Sequence, residues 1–121
     1  MIGLSFKTGT DDLRESPLVL LAEHFIGKGL ALQVYDPEVH LSRLLGANRR
    51  FIEQHVPHLG SLLRNDIEGV IAESDLLVVG LSDPGIFEML SQHLREDQTV
   101  LDLVNIPQRS ALRGNVVGLC W

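Results

Sequence analysis

The chain has one cysteine in 121 residues, which excludes an internal disulfide and suits a reducing compartment. Aromatic residues are scarce, with four phenylalanines, one tyrosine and one tryptophan, too few for a platform that stacks single-stranded nucleic acid. Positive charge is also short. Ten Lys and Arg stand against 16 Asp and Glu, a net charge of −6. That balance argues against a broad nucleic-acid or anionic-membrane surface while leaving room for a local basic pocket. No apolar run approaches a membrane span, and no leader precedes the first apolar stretch, so a cytoplasmic location is expected. The five histidines have no accompanying cysteine pattern, and His55 and His58 straddle Pro57, so no metal site is expected. Neither standard nucleotide motif occurs: GxGxxG is absent, and a P-loop counted from Gly3 fails at Thr8.

What is present is ordinary globular composition, 45% hydrophobic and 21% charged, in a length that makes one domain spanning 1–121. Apolar runs at Ile2–Phe6, Leu30–Tyr35, Leu76–Leu81, Thr99–Val104 and Val116–Leu119 read as strands. Between them lie helical patterns. The first opens at Ser16-Pro17, with Ser16 as N-cap, and carries Leu18, Leu21, Ala22, Phe25 and Ile26 on one face; Gly29 is its left-handed cap. A segment from Glu38 to Val56 carries two apolar patches, Val39-Leu41-Leu44-Leu45 and Phe51-Ile52-Val56, separated at Gly46-Ala47-Asn48. A helix is expected from Ser61 to Glu73, and a shorter one from Ile86 to Leu94 after the Asp83-Pro84-Gly85 turn. Strands alternating with helices predict an α/β fold: a doubly wound, mostly parallel sheet of about five strands with flanking helices.

The opening stretch is the informative one. A strand, a polar loop and a capped helix form the unit at whose strand ends open α/β sheets bind ligands. Here Asp11, Asp12 and Glu15 already occupy the positive end of the helix dipole, so a phosphate would need Lys7 or Arg14. Spacing alone favours a strand, a turn and a capped helix whose charges are solvated.

Phe6-Lys7-x-x-Thr10-Asp11-Asp12-x-Arg14-Glu15-Ser16-Pro17 resembles the opening of the C-terminal domain of the UDP-glucose/GDP-mannose dehydrogenase family. Gly3-Leu4-Ser5-Phe6-Lys7, Gly46-Ala47-Asn48, Pro57-His58 with Ser61-Leu62-Leu63, and the ending Gly118-Leu119-Cys120-Trp121 are most similar to its GDP-mannose branch. The resemblance covers the whole chain and implies a Rossmann-like, nucleotide-sugar-binding domain of a longer dehydrogenase. The intact family enzyme oxidises the C6 alcohol of the sugar to a carboxylate in two NAD-dependent steps, through a cysteine thiohemiacetal and a thioester. For GDP-mannose the product is GDP-mannuronate, used for alginate-type exopolysaccharide. NAD is bound mainly by an N-terminal domain, and the nucleophilic cysteine also lies upstream. No catalytic residue is therefore expected here, and this chain alone is predicted to be inactive. The implied partners are GDP-mannose, the rest of the polypeptide and a second copy, as a homodimer or higher oligomer.

Residue by residue, the resemblance gives Lys7 to the nucleotide sugar and Arg14 to the NAD pyrophosphate, a contact that a planar guanidinium suits. Read without it, Lys7 is a solvated strand-end lysine and Arg14 pairs with Asp11 or Glu15. Phe6 either packs on the sugar or base or belongs to the core. Asp11 and Asp12 order the loop. Asp36 sits where dinucleotide folds place a ribose-binding carboxylate, but Asp36-Pro37 reads as a turn. Asn48, Arg49 and Arg50 touch the nucleotide, a neighbouring subunit or solvent, with an exposed helical face preferred. UDP-specific members carry Asp-Gly-Arg where this chain has Asp102-Leu103-Val104, a departure that favours the GDP-mannose branch. Asn105 and Arg109 lie nearby with no role to transfer, and Cys120 reads as an inert buried thiol. Two rival functions are a stand-alone nucleotide-binding module and a subunit-assembly domain.

Overall fold

The computed structural model describes residues 1–39, 46–55 and 57–119, with the backbone alone at 47 and 48. Expectations placed on His40, Leu41, Leu44, Leu45, Val56, Cys120, Trp121 and the Asn48 side chain lie outside the described residues.

The elements run α1 (Pro17–Gly27), α2 (Ala47–His55), α3 (Leu59–Leu62), α4 (Ile67–Ala72), β1 (Leu76–Val79), α5 (Pro84–His93), β2 (Thr99–Asp102) and β3 (Asn115–Gly118), with a 3-10 turn at Arg109–Ala111. The strands form a parallel sheet in the order β1-β2-β3, with Leu77 opposite Val100 and Val100 opposite Val116. β1 is buried on both faces, Leu77, Val78 and Val79 being at most 3% exposed, which is why its sequence is a continuous apolar run rather than an alternation.

Among the described residues the sheet has three full strands rather than the expected five. The first two expected strands reduce to isolated parallel bridges, Ile2 with both Tyr35 and Val79, and Val34 with Leu63. Ile2 still sits inside the layer: its N–H donates to the Val78 carbonyl at 2.8 Å and its carbonyl accepts from the Gly80 N–H at 2.8 Å. Pairing then stops because Gly3 leaves strand geometry at φ +105° and the Leu4 and Ser5 N–H groups turn to the Asp36 carboxylate. On the partner segment, the Leu30 N–H is used to close the preceding helix on the Phe25 carbonyl at 3.1 Å.

Two cores flank the sheet. One packs Val19 and Ala22 of α1 and Ile52 of α2 with Leu4, Leu13, Val34 and Val78. The other packs Val70 and Ile71 of α4 and Ile86 and Leu90 of α5 on Leu77, Val79 and Val100. The face expected for α1 meets this core through Ala22, with Leu18, Leu21 and Phe25 partly buried against it, and Val19 joins them as a buried side chain.

Helix ends show which local signals held. α1 finishes in a Schellman motif around Gly29 (φ +75°), with Gly29 N–H on the Ile26 carbonyl and Leu30 N–H on that of Phe25. α5 starts with the Asp83 carboxylate accepting from the Gly85 and Ile86 N–H groups at 2.8 and 3.2 Å. α2 begins at Ala47, directly after Gly46, so the expected break falls at the glycine and Asn48 is already helical.

Two expectations fail. Ser16 occupies the N-cap of α1, but its hydroxyl makes no cap bond and instead donates to the Leu4 carbonyl at 2.7 Å. The continuous helix from Ser61 to Glu73 is also broken. The Leu62 carbonyl accepts from the Val34 N–H at 2.9 Å and the Arg64 N–H donates to the Val34 carbonyl at 2.8 Å, so 62–64 line the sheet edge. The helix restarts as α4 behind Asp66, whose carboxylate accepts from the Gly69 N–H at 3.1 Å.

Candidate functional site

The carboxyl ends of Ile2, β1 and β2 lie side by side and feed three loops. The first, from Leu4 to Ser16, is held by its own polar groups. The Phe6 N–H donates to the Asp12 carbonyl at 2.9 Å, and the Asp12 N–H donates to the Thr10 hydroxyl at 3.1 Å. Leu13 is fully buried and pins the loop to the core, while Phe6 is 59% exposed and Lys7 is exposed. The structure thus takes Phe6 out of the core and leaves it exposed beside Lys7, past the carboxyl end of the Ile2 segment.

Arg14 pairs with Asp12, rather than with Asp11 or Glu15. Its Nε donates to Asp12 Oδ1 at 3.0 Å and its Nη2 to Oδ2 at 3.2 Å, with the Arg14 backbone N–H also on Oδ1 at 3.1 Å. The side-chain hydrogen bond from Arg14 holds the Asp12 carboxyl below its usual range. Both groups are exposed, so the pair orders the loop more than it stabilises the fold. The loop-ordering role expected of Asp12 is therefore seen. Glu15, at φ +58°, ends the loop before α1.

Two buried aspartates at strand ends anchor the loops, and the sequence reading missed what they do. Asp36 is 1% exposed. Its Oδ1 accepts from the Glu38 N–H at 2.9 Å, the turn the sequence indicated. Its Oδ2 accepts from the Leu4 N–H, the Ser5 N–H and the Ser5 hydroxyl, each at 2.9 Å. These bonds turn the carboxylate inward, away from a ribose-binding role. Asp102, fully buried, accepts from the Val104 and Ile106 N–H groups at 3.0 and 2.9 Å and lies 3.9 Å from the Arg109 guanidinium. Arg109 is thus turned toward Asp102, and among the described residues its buried Nη1 has no hydrogen-bond partner. An aspartate at the last position of a strand was the signal available for both.

Between the second and third loops opens a cleft of about 310 Å³, walled by Leu81, Pro84, Phe87, Leu90, Ile106 and Pro107, with Ser82, Asp83 and Gln108 as its polar lining. The Asp83 carboxylate is committed to capping α5, and among the described residues no cation lines the cleft. The first loop is joined to the cleft rim by the Thr8 hydroxyl donating to the Ser82 carbonyl at 3.3 Å. Arg49 forms an exposed i,i+4 pair with Glu53, and Arg50 is exposed, the solvated helical face preferred from the sequence. Among the described residues no group of three or more His, Cys, Asp or Glu could hold a metal, and no helix is long and apolar enough to cross a membrane.

A parallel sheet with polar loops and a cleft at its carboxyl edge defines an α/β ligand-binding domain of the doubly wound class. Residues 1–109 match the UDP-glucose/GDP-mannose dehydrogenase family, UDP binding domain, and the chain belongs to that family. It is similar to GDP-mannose 6-dehydrogenase of Azotobacter vinelandii, 47% identical over 100% of this chain and 27% of that protein. The enzyme of the same name from Pseudomonas aeruginosa is 45% identical over the same shares. The UDP-glucose 6-dehydrogenase of Pseudomonas aeruginosa is 49% identical over only 29% of this chain. A crystal structure of a ternary complex of GDP-mannose dehydrogenase from Pseudomonas aeruginosa superposes with a TM-score of 0.81 at 44% identity, over 99% of this chain and 27% of that one. The chain spans about a quarter of the length of these relatives.

Proposed function

We propose that this chain is the nucleotide-sugar-binding, C-terminal domain of a longer NAD-dependent GDP-mannose 6-dehydrogenase, which converts GDP-mannose to GDP-mannuronate for alginate-type exopolysaccharide. The observation that carries the reading is the reach of the matches. GDP-mannose 6-dehydrogenases align along the whole chain, whereas a UDP-glucose 6-dehydrogenase and a putative one align over 35 and 66 residues. The departure at Leu103-Val104 from the Asp-Gly-Arg of UDP-specific members supports the same branch.

In this proposal Lys7 and Phe6 contact the substrate. The Lys7 ammonium offsets the anionic diphosphate end of a nucleotide sugar, and the exposed Phe6 ring offers an apolar face to the sugar or base. Arg14 contacts the cofactor. Its Nε and Nη2 are committed to Asp12, which leaves Nη1 as the end that fits one phosphate oxygen. With the glycine fingerprint absent, these residues fit a single cofactor contact, and the body of the cofactor belongs to the rest of the polypeptide. NAD, when bound, accepts the hydride. The domain's own work is to bind and orient the substrate, and the chain alone is inactive. The proposal extends to a cytoplasmic enzyme that assembles as a homodimer or higher oligomer.

Calorimetric titration with GDP, GDP-mannose and UDP-glucose tests it, on the full-length polypeptide and with Lys7→Ala. Selective binding of the guanine ligands, weakened in the variant, is the expected result. Preference for UDP-glucose would overturn the branch, and undiminished affinity in the variant would overturn the role of Lys7.

A further inference from the structure

The buried Asp36 carboxylate gathers four donors, and three of them belong to the two residues immediately before Phe6 and Lys7. Such convergence is what allows a carboxylate to stay buried, since an unmatched buried charge is strongly penalised. The Ser5 hydroxyl on Asp36 Oδ2 also lies 3.2 Å from the Lys7 carbonyl, so one side chain touches both the anchor and the residue beyond it. From the other side the segment is held by the Ser16 hydroxyl on the Leu4 carbonyl and by the Phe6 N–H on the Asp12 carbonyl. The backbone from Leu4 to Lys7 is therefore fixed on both flanks, while the Phe6 and Lys7 side chains remain exposed.

We propose that Asp36, acting through Ser5, is a positioning residue that presents Lys7 to the ligand. Asp36 does not touch the ligand itself: it is 1% exposed, and its bonds go to its own chain. Its effect is preorganisation. A lysine carries large rotamer freedom, and a fixed Cα removes the backbone share of the ordering that binding would otherwise require. The aspartate at the end of the second strand segment, which in dinucleotide folds reads a ribose, here holds the first loop in place. This inference rests on the assignment of Lys7 to the nucleotide sugar.

A double-mutant cycle on GDP-mannose affinity in the full-length polypeptide tests both statements separately. Lys7→Ala alone is expected to weaken binding about 10- to 100-fold, the usual range for a charged hydrogen-bond donor. Ser5→Ala, which removes one hydroxyl, is expected to weaken it about 3- to 10-fold, and Asp36→Asn by about 10-fold or more. In the Lys7→Ala background both losses should shrink to less than about twofold, because nothing remains to be positioned. Equal losses in the two backgrounds would reduce Asp36 and Ser5 to a general structural role and overturn the inference. So would unchanged affinity in Ser5→Ala and Asp36→Asn when Lys7→Ala binds weakly. Unchanged affinity in Lys7→Ala would instead remove the site assignment on which the inference stands. Thermal melts of Ser5→Ala, the gentler variant, separate lost affinity from lost fold.

Discussion

Replacing Gly3 by alanine should destabilise the domain by about 3 kcal/mol, and the figure can be built from two costs and one gain. Gly3 sits at φ +105°, where an L residue is strained by about 1–3 kcal/mol. A Cβ there would stand 2.7 Å from Leu81 Cγ, 3.1 Å from the Leu81 nitrogen and 3.2 Å from the Gly80 carbonyl carbon. The Leu81 side chain can rotate, but the two backbone atoms directly follow β1 and have little room to shift, so overpacking adds about 1–3 kcal/mol. Loss of glycine's unfolded-state freedom returns about 0.4–1 kcal/mol. The balance is a large part of the roughly 5–15 kcal/mol that holds a domain together. Urea unfolding followed by circular dichroism should show the midpoint falling by about 2 M for a slope near 1.5 kcal/mol/M. Gly27→Ala is the internal control. It lies in α1 with nothing within 4 Å of a new Cβ and no positive φ, so alanine should be neutral or stabilising by up to about 1 kcal/mol. A Gly3→Ala midpoint within 0.3 M (roughly 0.5 kcal/mol) of wild type would refute the reasoning, because the segment would then have to shift away from β1 at no cost.

Three further outcomes follow from the same geometry. Ser16→Asp, a substitution that a true N-cap tolerates, should destabilise more than Ser16→Ala, whose cost is about 1–2 kcal/mol, because aspartate cannot donate to the Leu4 carbonyl; equal or better stability of the aspartate variant in urea would restore the capping role. Burial raises the Tyr35 phenol above its ordinary value. Its contribution is therefore complete below the unfolded value near pH 10 and is lost as pH rises through the folded one, so wild type should lose stability above pH 10 faster than Tyr35→Phe in melting curves. Asp12 is shifted the other way by Arg14, so its contribution is present above the unfolded value near 4 and fades as pH falls through the folded one. Asp12→Asn should flatten that acid dependence, and identical acid titrations of wild type and variant by circular dichroism would contradict the pairing.

Much of the α/β plan was legible because the signals are local. The apolar run at 76–81 is a strand that must be covered on both faces, and both cores cover it. Asp83-Pro84 starts a helix and Gly29 stops one through bonds that span two to five residues. The reading failed where a residue had a local option and a distant one. Ser16 could cap its own helix, yet its hydroxyl goes to Leu4, twelve residues back in sequence and adjacent only in the fold. Leu62 and Arg64 could continue a helix, yet their backbone groups complete the sheet edge at Val34. Periodicity is blind to that choice, since the same leucines satisfy either arrangement.

The site divides along the same line. Motif and composition marked the first loop, with Phe6, Lys7, Asp12 and Arg14, as the place where chemistry concentrates, and they named the family that the full-length matches support. They could not say that Arg14 would choose Asp12 over Asp11 or Glu15, since all three lie within reach along the chain and only the folded loop sets which carboxylate faces the guanidinium. Nor could they show that Asp36 and Asp102 would be buried as anchors. For Asp36 that role depends on backbone N–H groups that arrive from another segment, 31 and 32 residues away, and for Asp102 on how the chain turns over the next four residues. The sequence by itself determined the central strands, the first and last helices, the polar edge and the residues that populate it, because those follow from periodicity, capping and charge within a few residues. Tertiary structure alone decided which donors meet which acceptors, because a buried polar group takes the partner that packing brings to it.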